Sequence, residues 1–199
     1  MQEQAIERKT RHVVENTRQN EWRHQIDRLV HNQTRAPIGR RSALRICGQQ
    51  FRATYGSDTP ASDLESYIQA NISAEQQNAE IGDPSAAVFL AMLDNRVIGY
   101  AHLMLDTVDR RSAFLNRIYV HTDWRGRGLA MALLKTVLHD AHQRGATRLE
   151  LTVYERNARA IAFYERAGFV VTGNTIFAVG QDLQSDLVME MKLAERPNS

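Results

Sequence analysis

The chain of 199 residues contains one cysteine, Cys47. That excludes an internal disulfide and any metal site built on several thiolates. Cys47 shares an apolar helical pattern with Leu44 and Phe51 and is expected to be a small buried hydrophobe. No apolar run approaches the roughly 20 residues that span a bilayer. The N-terminus, MQEQAIERKTRH, is polar and carries no signal-peptide stretch. These absences predict a cytoplasmic location and no membrane partner. Internal repeats and low-complexity segments are also lacking. The histidines show no metal pattern: His12, His24 and His31 have no ligand spacing, and His139 and His142, at i and i+3, have no Cys or acid motif beside them. No metal is expected.

What is there reads as one ordinary globular domain, long enough for a substantial core. The formal net charge of +2 conceals an asymmetry. Ten of the 25 basic residues lie in 1–45, against five of the 23 acids, so the remainder is acidic by three. Such a basic end could meet nucleic acid. No aromatic interleaving or nucleic-acid motif accompanies it, so a solvated helical arm is the expectation. Residues 1–40 are therefore read as a basic helical arm, partly disordered or packed on a domain formed by 41–199.

Hydrophobic spacing predicts the elements. Trp22, Ile26, Leu29 and Val30 suggest a helix near 20–31, followed by a loop from Asn32 to Gly39. Helices are expected over 41–55 and 63–72, the latter capped by Ser62. From Ala87 the pattern turns to strands. VFLAML and VIGYAHLML flank Asp94-Asn95 as a hairpin, and Phe114–Val120 follows. A helix over 127–144 stops at Gly145. Arg148–Tyr154 alternates as a strand. Asn157 can cap a helix over 158–167 that ends at Gly168. A short strand at Val170 and Val171 and a last one at 186–193 complete the chain. This order predicts a mixed sheet with helices on both faces. No strand is evident before Arg41; either 20–40 supplies one in disguise or the sheet starts differently.

The most informative stretch is LNRIYVHTDWRGRGLA, Leu115 to Ala130. A β-forming run ends in a turn with Gly126 and Gly128, and an amphipathic helix begins at Leu129. A helix N-terminus aims free N–H groups and about half a positive charge at the turn. Arg125 and Arg127 add full charges, so a diphosphate fits there. No Lys-Ser or Lys-Thr follows the glycines, which excludes a P-loop, and the third glycine of a dinucleotide fingerprint is missing. On its own, Arg-Gly-Arg-Gly is equally a turn with two solvated arginines.

Two further blocks bear on that choice. Arg125-x-x-Gly128-x-Ala130 resembles the pyrophosphate motif of the GNAT superfamily of acetyl-CoA-dependent N-acetyltransferases. LELTVYERNARAIAFYERAGFVVTG, Leu149 to Gly173, resembles its second block, in the right order and at the right separation. The tail through FAVGQDLQSDLVMEMKL is similar to the PaiA-like polyamine (spermidine/spermine) branch. The resemblance covers roughly Phe51 to Leu193. It implies a single-domain α/β acyl-CoA N-acyltransferase fold with a mixed, mostly antiparallel sheet. It implies acetyl-CoA as cosubstrate, bound by the backbone of Ile118, Tyr119 and Val120, by the turn Arg125, Gly126, Arg127, Gly128, Leu129 and Ala130, and by Asn157. The Val120 N–H would be the oxyanion donor. Tyr164 would protonate the leaving thiolate and also touch the cofactor. Asn157 as a helix cap, and Tyr164 as a packed aromatic, are the structural alternatives. Relatives pair through their last strands, which would make a homodimer, though nothing in this sequence marks it directly.

Acetyl transfer to nitrogen also needs the amine to lose a proton, because an alkyl ammonium with a pKa near 10.4 is almost wholly charged at neutral pH. Family members often place a carboxylate on the strand before the phosphate turn. Here that strand offers Asn116, Arg117 and Tyr119. Glu150, Glu155 and Asp186 are candidates by neighbourhood, and His102 and His121 titrate in a useful range. A primary amine, with a polyamine as the branch-level expectation, is the acceptor. Protein N-termini or lysines are the alternative acceptors, and a non-catalytic acyl-CoA-binding module is the alternative of another class.

Overall fold

A computed structural model of the chain describes residues 26, 28–32, 40–109 and 111–194. Among these residues seven strands form one sheet in the order β1-β2-β3-β4-β5-β7-β6. They are β1 Val30–Asn32, β2 Ala86–Leu93, β3 Arg96–Leu105, β4 Ser112–Val120, β5 Arg148–Tyr154, β6 Val170–Val179 and β7 Asp182–Lys192. Every neighbouring pair is antiparallel except β4 with β5. The helices are α1 Arg40–Tyr55, α2 Ala61–Asn71, α3 Ala74–Gly82, α4 Leu129–Gln143 and α5 Ala158–Ala167.

Both faces of the sheet are covered, and the alternation along β2 shows why. Ala87, Phe89 and Ala91 join the core under α4 and α5. Val88 and Leu90 point the other way, into the core under α1 and α2. With successive side chains on opposite faces, a strand buried on both sides must be apolar throughout, as AAVFLAML is. Helix α4 buries Leu129, Leu133, Leu134 and Val137, each worth about 1.5–3 kcal/mol when withdrawn from water. Asp94 and Asn95 both adopt positive φ, 46° and 60°, as a two-residue hairpin turn requires.

Several expectations are corrected. The missing first strand lies in the 20–40 region: Val30–Asn32 pairs with Phe89–Ala91. The helix expected near 20–31 therefore ends by Leu29 among the described residues, and Asn32 is strand rather than loop. Three residues of the proposed 1–40 arm are thus paired inside the sheet. Residues 1–25 and 33–39 lie outside the described residues. Helix α2 starts at Ala61 behind Pro60, and the Ser62 hydroxyl, instead of capping, donates to Asp63 Oδ1 at 3.3 Å. Helix α3 was not expected, although Ser73, which accepts from the Gln76 N–H at 3.2 Å, begins a Ser-x-x-Gln signature. The two terminal strands are much longer than expected and form a hairpin through Gly180, which has φ 64°.

No helix among the described residues is long and apolar enough to cross a membrane.

Candidate active site

The site arises where the sheet comes apart. Strands β4 and β5 pair in parallel only at Ser112, Ala113 and Phe114, opposite Arg148, Leu149 and Glu150. Beyond Phe114 the pairing stops, and Leu115–Val120 runs on beside β3 alone. Within that pairing Leu103 faces Leu115 and His102 faces Arg117, which leaves Asn116 as an extra residue on β4. A bulge bends its strand and sharpens the twist, so Asn116 carries β4 away from β5. The bulge is held from the side, since Asn116 Nδ2 lies 2.9 Å from His102 Nδ1.

The opening is a cavity of about 520 Å³. Its wall includes Ile118, Tyr119 and Val120 from the diverging edge and Arg125, Gly126, Gly128, Leu129 and Ala130 from the turn and the start of α4. Asn157 and Tyr164 face it from the other side. All the expected site residues are therefore brought together except Arg127, which is not in the wall. Arg127 lies over the Trp124 ring, 5.0 Å from its centroid, a cation–π contact.

The turn works as an anion cradle for local reasons. Gly126 and Gly128 have φ of 73° and 86°, a region that L side chains rarely adopt. Gly128 is the N-cap of α4 and supplies no side-chain cap, so the first N–H groups of α4 have no intrahelical acceptor. Arg125 is hydrogen-bonded to Gln50 Oε1 of α1. Its guanidinium is held below its ordinary pKa by burial and by the Arg159 charge nearby. Arg159 also lines the cavity and was missed in the sequence. The signal was there: it is a cation in the first turn of α5, where the helix dipole disfavours positive charge.

Asn157 caps α5, its Oδ1 accepting from the Ala160 N–H at 3.2 Å, while also facing the cavity. Tyr164 is 7% exposed and packs edge-on to Phe169. Burial pushes its hydroxyl well above the ordinary phenol range, so it stays protonated at neutral pH and has a proton to donate.

Part of the wall is aromatic. Phe51 stacks on Tyr67 at 4.6 Å, and Phe177 closes against Tyr55 and Tyr67 at 5.6 and 5.5 Å. Below lies a buried polar group of Arg117, Glu80 and Tyr100. Arg117 donates to Glu80 Oε1 at 2.6 Å and to the Asn71 carbonyl at 3.0 Å, and the Tyr100 hydroxyl donates to Glu80 Oε2 at 3.2 Å.

Among the candidate bases, Asp186 lines the cavity, and Glu150 and Glu155 do not. Glu150 accepts from the Ser112 hydroxyl and from Arg148 at the paired end of β4 and β5. His102 is buried outside the wall, and burial lowers its pKa to about 4. His121 caps the short turn Thr122–Trp124.

The acetyltransferase (GNAT) family model matches residues 49–169. An N-acetyltransferase of Mycobacterium bovis, itself uncharacterized, is 35% identical over 130 residues, 65% of this chain and 82% of the relative. The L-amino acid N-acetyltransferase AaaT of Escherichia coli is 33% identical over 93 residues, 45% of this chain and 57% of its own. Among solved structures, the PaiA N-acetyltransferase of Thermoplasma acidophilum, in complex with coenzyme A, aligns with a TM-score of 0.69 at 19% identity. That alignment covers 82% of this chain and 98% of the other and is a likeness of fold.

Proposed function

The chain belongs to the acetyltransferase (GNAT) family and is an acetyl-CoA-dependent N-acetyltransferase, and we propose that it acetylates a primary amine in the cavity between β4 and β5. One observation carries this reading: the gap in the sheet opens directly onto the uncapped N-terminus of α4, with Arg125 and Arg159 beside it. The diphosphate of coenzyme A binds at Gly126–Ala130, where helix N–H groups and cationic side chains favour it. The pantetheine arm runs along Ile118, Tyr119 and Val120 and takes up backbone groups that β5 leaves unpaired, since buried backbone polar groups need partners. Asn157 meets the arm from the other side. The Val120 N–H holds the tetrahedral oxyanion. Tyr164 gives its proton to the departing sulfur.

For the acceptor we propose a polyamine, the class implied by the sequence similarity to the PaiA-like branch. Two acids near Tyr154, a residue of the cavity wall, support it. The Tyr154 hydroxyl donates to Asp58 Oδ2 at 2.8 Å, and the charge of Asp182 reaches the same hydroxyl. Arg156 lies 3.8 Å from Asp58 and offsets part of that charge. A chain of ammonium groups is drawn to such carboxylates.

Calorimetry with coenzyme A, joined to acetyl-CoA turnover on spermidine, a lysine peptide and a peptide with a free N-terminus, tests the reading. We expect coenzyme A binding that weakens about tenfold or more in Arg125→Glu, the scale of one lost charge-assisted hydrogen bond. Spermidine should be the best acceptor of the three. Absence of binding heat in the folded parent overturns the site; preference for a peptide overturns the acceptor.

A further inference from the structure

The cavity wall is rich in arginine and aromatic residues, yet it contains a single carboxylate among the described residues, Asp186 of β7. This side chain belongs to a residue only 2% exposed, and its Oδ1 has no hydrogen-bond partner. The other buried acid among the described residues, Glu80, is satisfied by Arg117 and Tyr100. A buried carboxylate oxygen without a donor costs stability, and a group kept at such a cost awaits a ligand that supplies the donor.

We propose that Asp186 is the catalytic carboxylate of the acceptor site, seating the incoming ammonium group and taking the proton that the amine must lose before it attacks. The inference rests on the reading that this cavity acetylates an amine. The position suits the task. Asp186 stands opposite Tyr154 of β5 and Thr175 of β6, and its charge reaches Tyr55 and Tyr67, which also line the cavity. Aromatic faces attract an ammonium, and the carboxylate fixes where its nitrogen stops. Arg125 and Arg159 repel the same ammonium and leave the turn to phosphate, whereas the charge of Arg117 is met by Glu80.

The protons balance as follows. The ammonium gives its first proton to Asp186, which later passes it to solvent. The neutral nitrogen forms a bond to the thioester carbonyl carbon. As the C–S bond breaks, Tyr164 protonates the sulfur and recovers a proton from the nitrogen, leaving amide, thiol and one released proton.

The groups facing Asp186 set its charge. Tyr154 of β5 and Glu155 just after it approach from one side, Tyr55 from α1 and Tyr67 from α2, and Arg117 and Tyr119 of β4 share the cavity wall; Thr175 and Phe177 of β6 carry no charge. Burial, and then the charge of Glu155, pushes the Asp186 carboxyl up to about 6. It is ionised at neutral pH and still basic enough to be useful. Because the folded-state value is raised, ionisation costs stability as pH rises through about 6.

The test is the pH dependence of kcat/KM with two acceptor amines of different pKa, for the parent and for Asp186→Asn. In the parent, the rising limb should lie near pH 6 for both amines. In Asp186→Asn, kcat/KM at pH 7 should fall about 100-fold or more, and the rising limb should move up to follow the pKa of each amine. Coenzyme A affinity should be unchanged, and the thermal midpoint at pH 7 should be no lower, because a buried charge has been removed. A parental rate and limb in Asp186→Asn overturns the proposal. A parental limb that tracks the amine does so too, and needs no variant to fold. Should the parent bind no coenzyme A, the acetyl-transfer reading itself fails; a working parent with an indifferent Asp186→Asn sinks this inference alone.

Discussion

Tyr164 shows how one side chain can hold a structural and a chemical place at once. Its ring packs against Phe163 and Phe169 at 5.2 and 5.6 Å, and the residue lines the cavity. Tyr164→Phe keeps the ring and removes the proton. If that hydroxyl is the acid, turnover should fall about 100-fold, while coenzyme A affinity and the unfolding midpoint stay close to the parent. Steady-state kinetics beside calorimetry checks this; undiminished turnover returns Tyr164 to a packing role. At this scale the sequence was informative where a motif bears the chemistry. The turn residues and Tyr164 could be named because a family motif with local spacing marks them, and all but Arg127 line the cavity. Asp186 could be named only as one acid among three, since its burial depends on Tyr55, Tyr67 and Phe177, which are remote in sequence. Cys47 was legible in another way. It is fully buried, and burial pushes its thiol up to about 12, so it remains an unreactive thiol.

The elements were legible in proportion to their periodicity. Helix α4 and strands β3 to β5 lie close to where the apolar spacing puts them. Strand β1 was hidden because three residues are too few to show a period of two, and Leu29 and Val30 also fit a helical stripe. Strands β6 and β7 were truncated in the reading because β6 is largely exposed, so no buried face writes an alternation into its sequence. The bulge at Asn116 left no local mark, since it is a property of register with β3. Contact between α4 and the sheet depends on Gly99 of β3. A Cβ there would lie 2.9 Å from Leu133 Cδ1 and 3.2 Å from the Ala91 Cβ. Leu133 is fully buried and Ala91 has no rotamer to change. Gly99→Ala should therefore destabilise the fold by about 1–3 kcal/mol through overpacking. A lower urea midpoint with an unchanged slope would confirm it; a parental midpoint would mean that α4 shifts freely on the sheet.

For the whole molecule, the helical layer of α1 to α3 is tied to the sheet by a polar link as well as by its apolar core. Glu80 of α3 holds Arg117 of β4, and Arg117 reaches on to the carbonyl of Asn71 at the end of α2. Both side chains are largely withdrawn from water, at 6% and 12% exposure. Glu80→Ala leaves the guanidinium without its counter-charge and the Tyr100 hydroxyl without its acceptor. The expected loss is about 3–5 kcal/mol, the usual cost of stranding one partner of a buried pair. Equilibrium urea unfolding measures it, and a loss below about 1 kcal/mol, typical of exposed pairs, would show that water reaches the pair. This link is not legible in the sequence, because α3 carries little apolar periodicity and the pairing partners are 37 residues apart.

The backbone ladder between β4 and β5 is three residue pairs long among the described residues. The molecule is thus two slabs, β1 to β4 and β5 to β7, meeting along a seam that is sewn at one end and open at the other. A thioester lying in that seam would act as a staple as well as a reagent, giving each slab the neighbour that the other withholds. Product departure then undoes the staple, so every turnover returns the sheet to its less supported form.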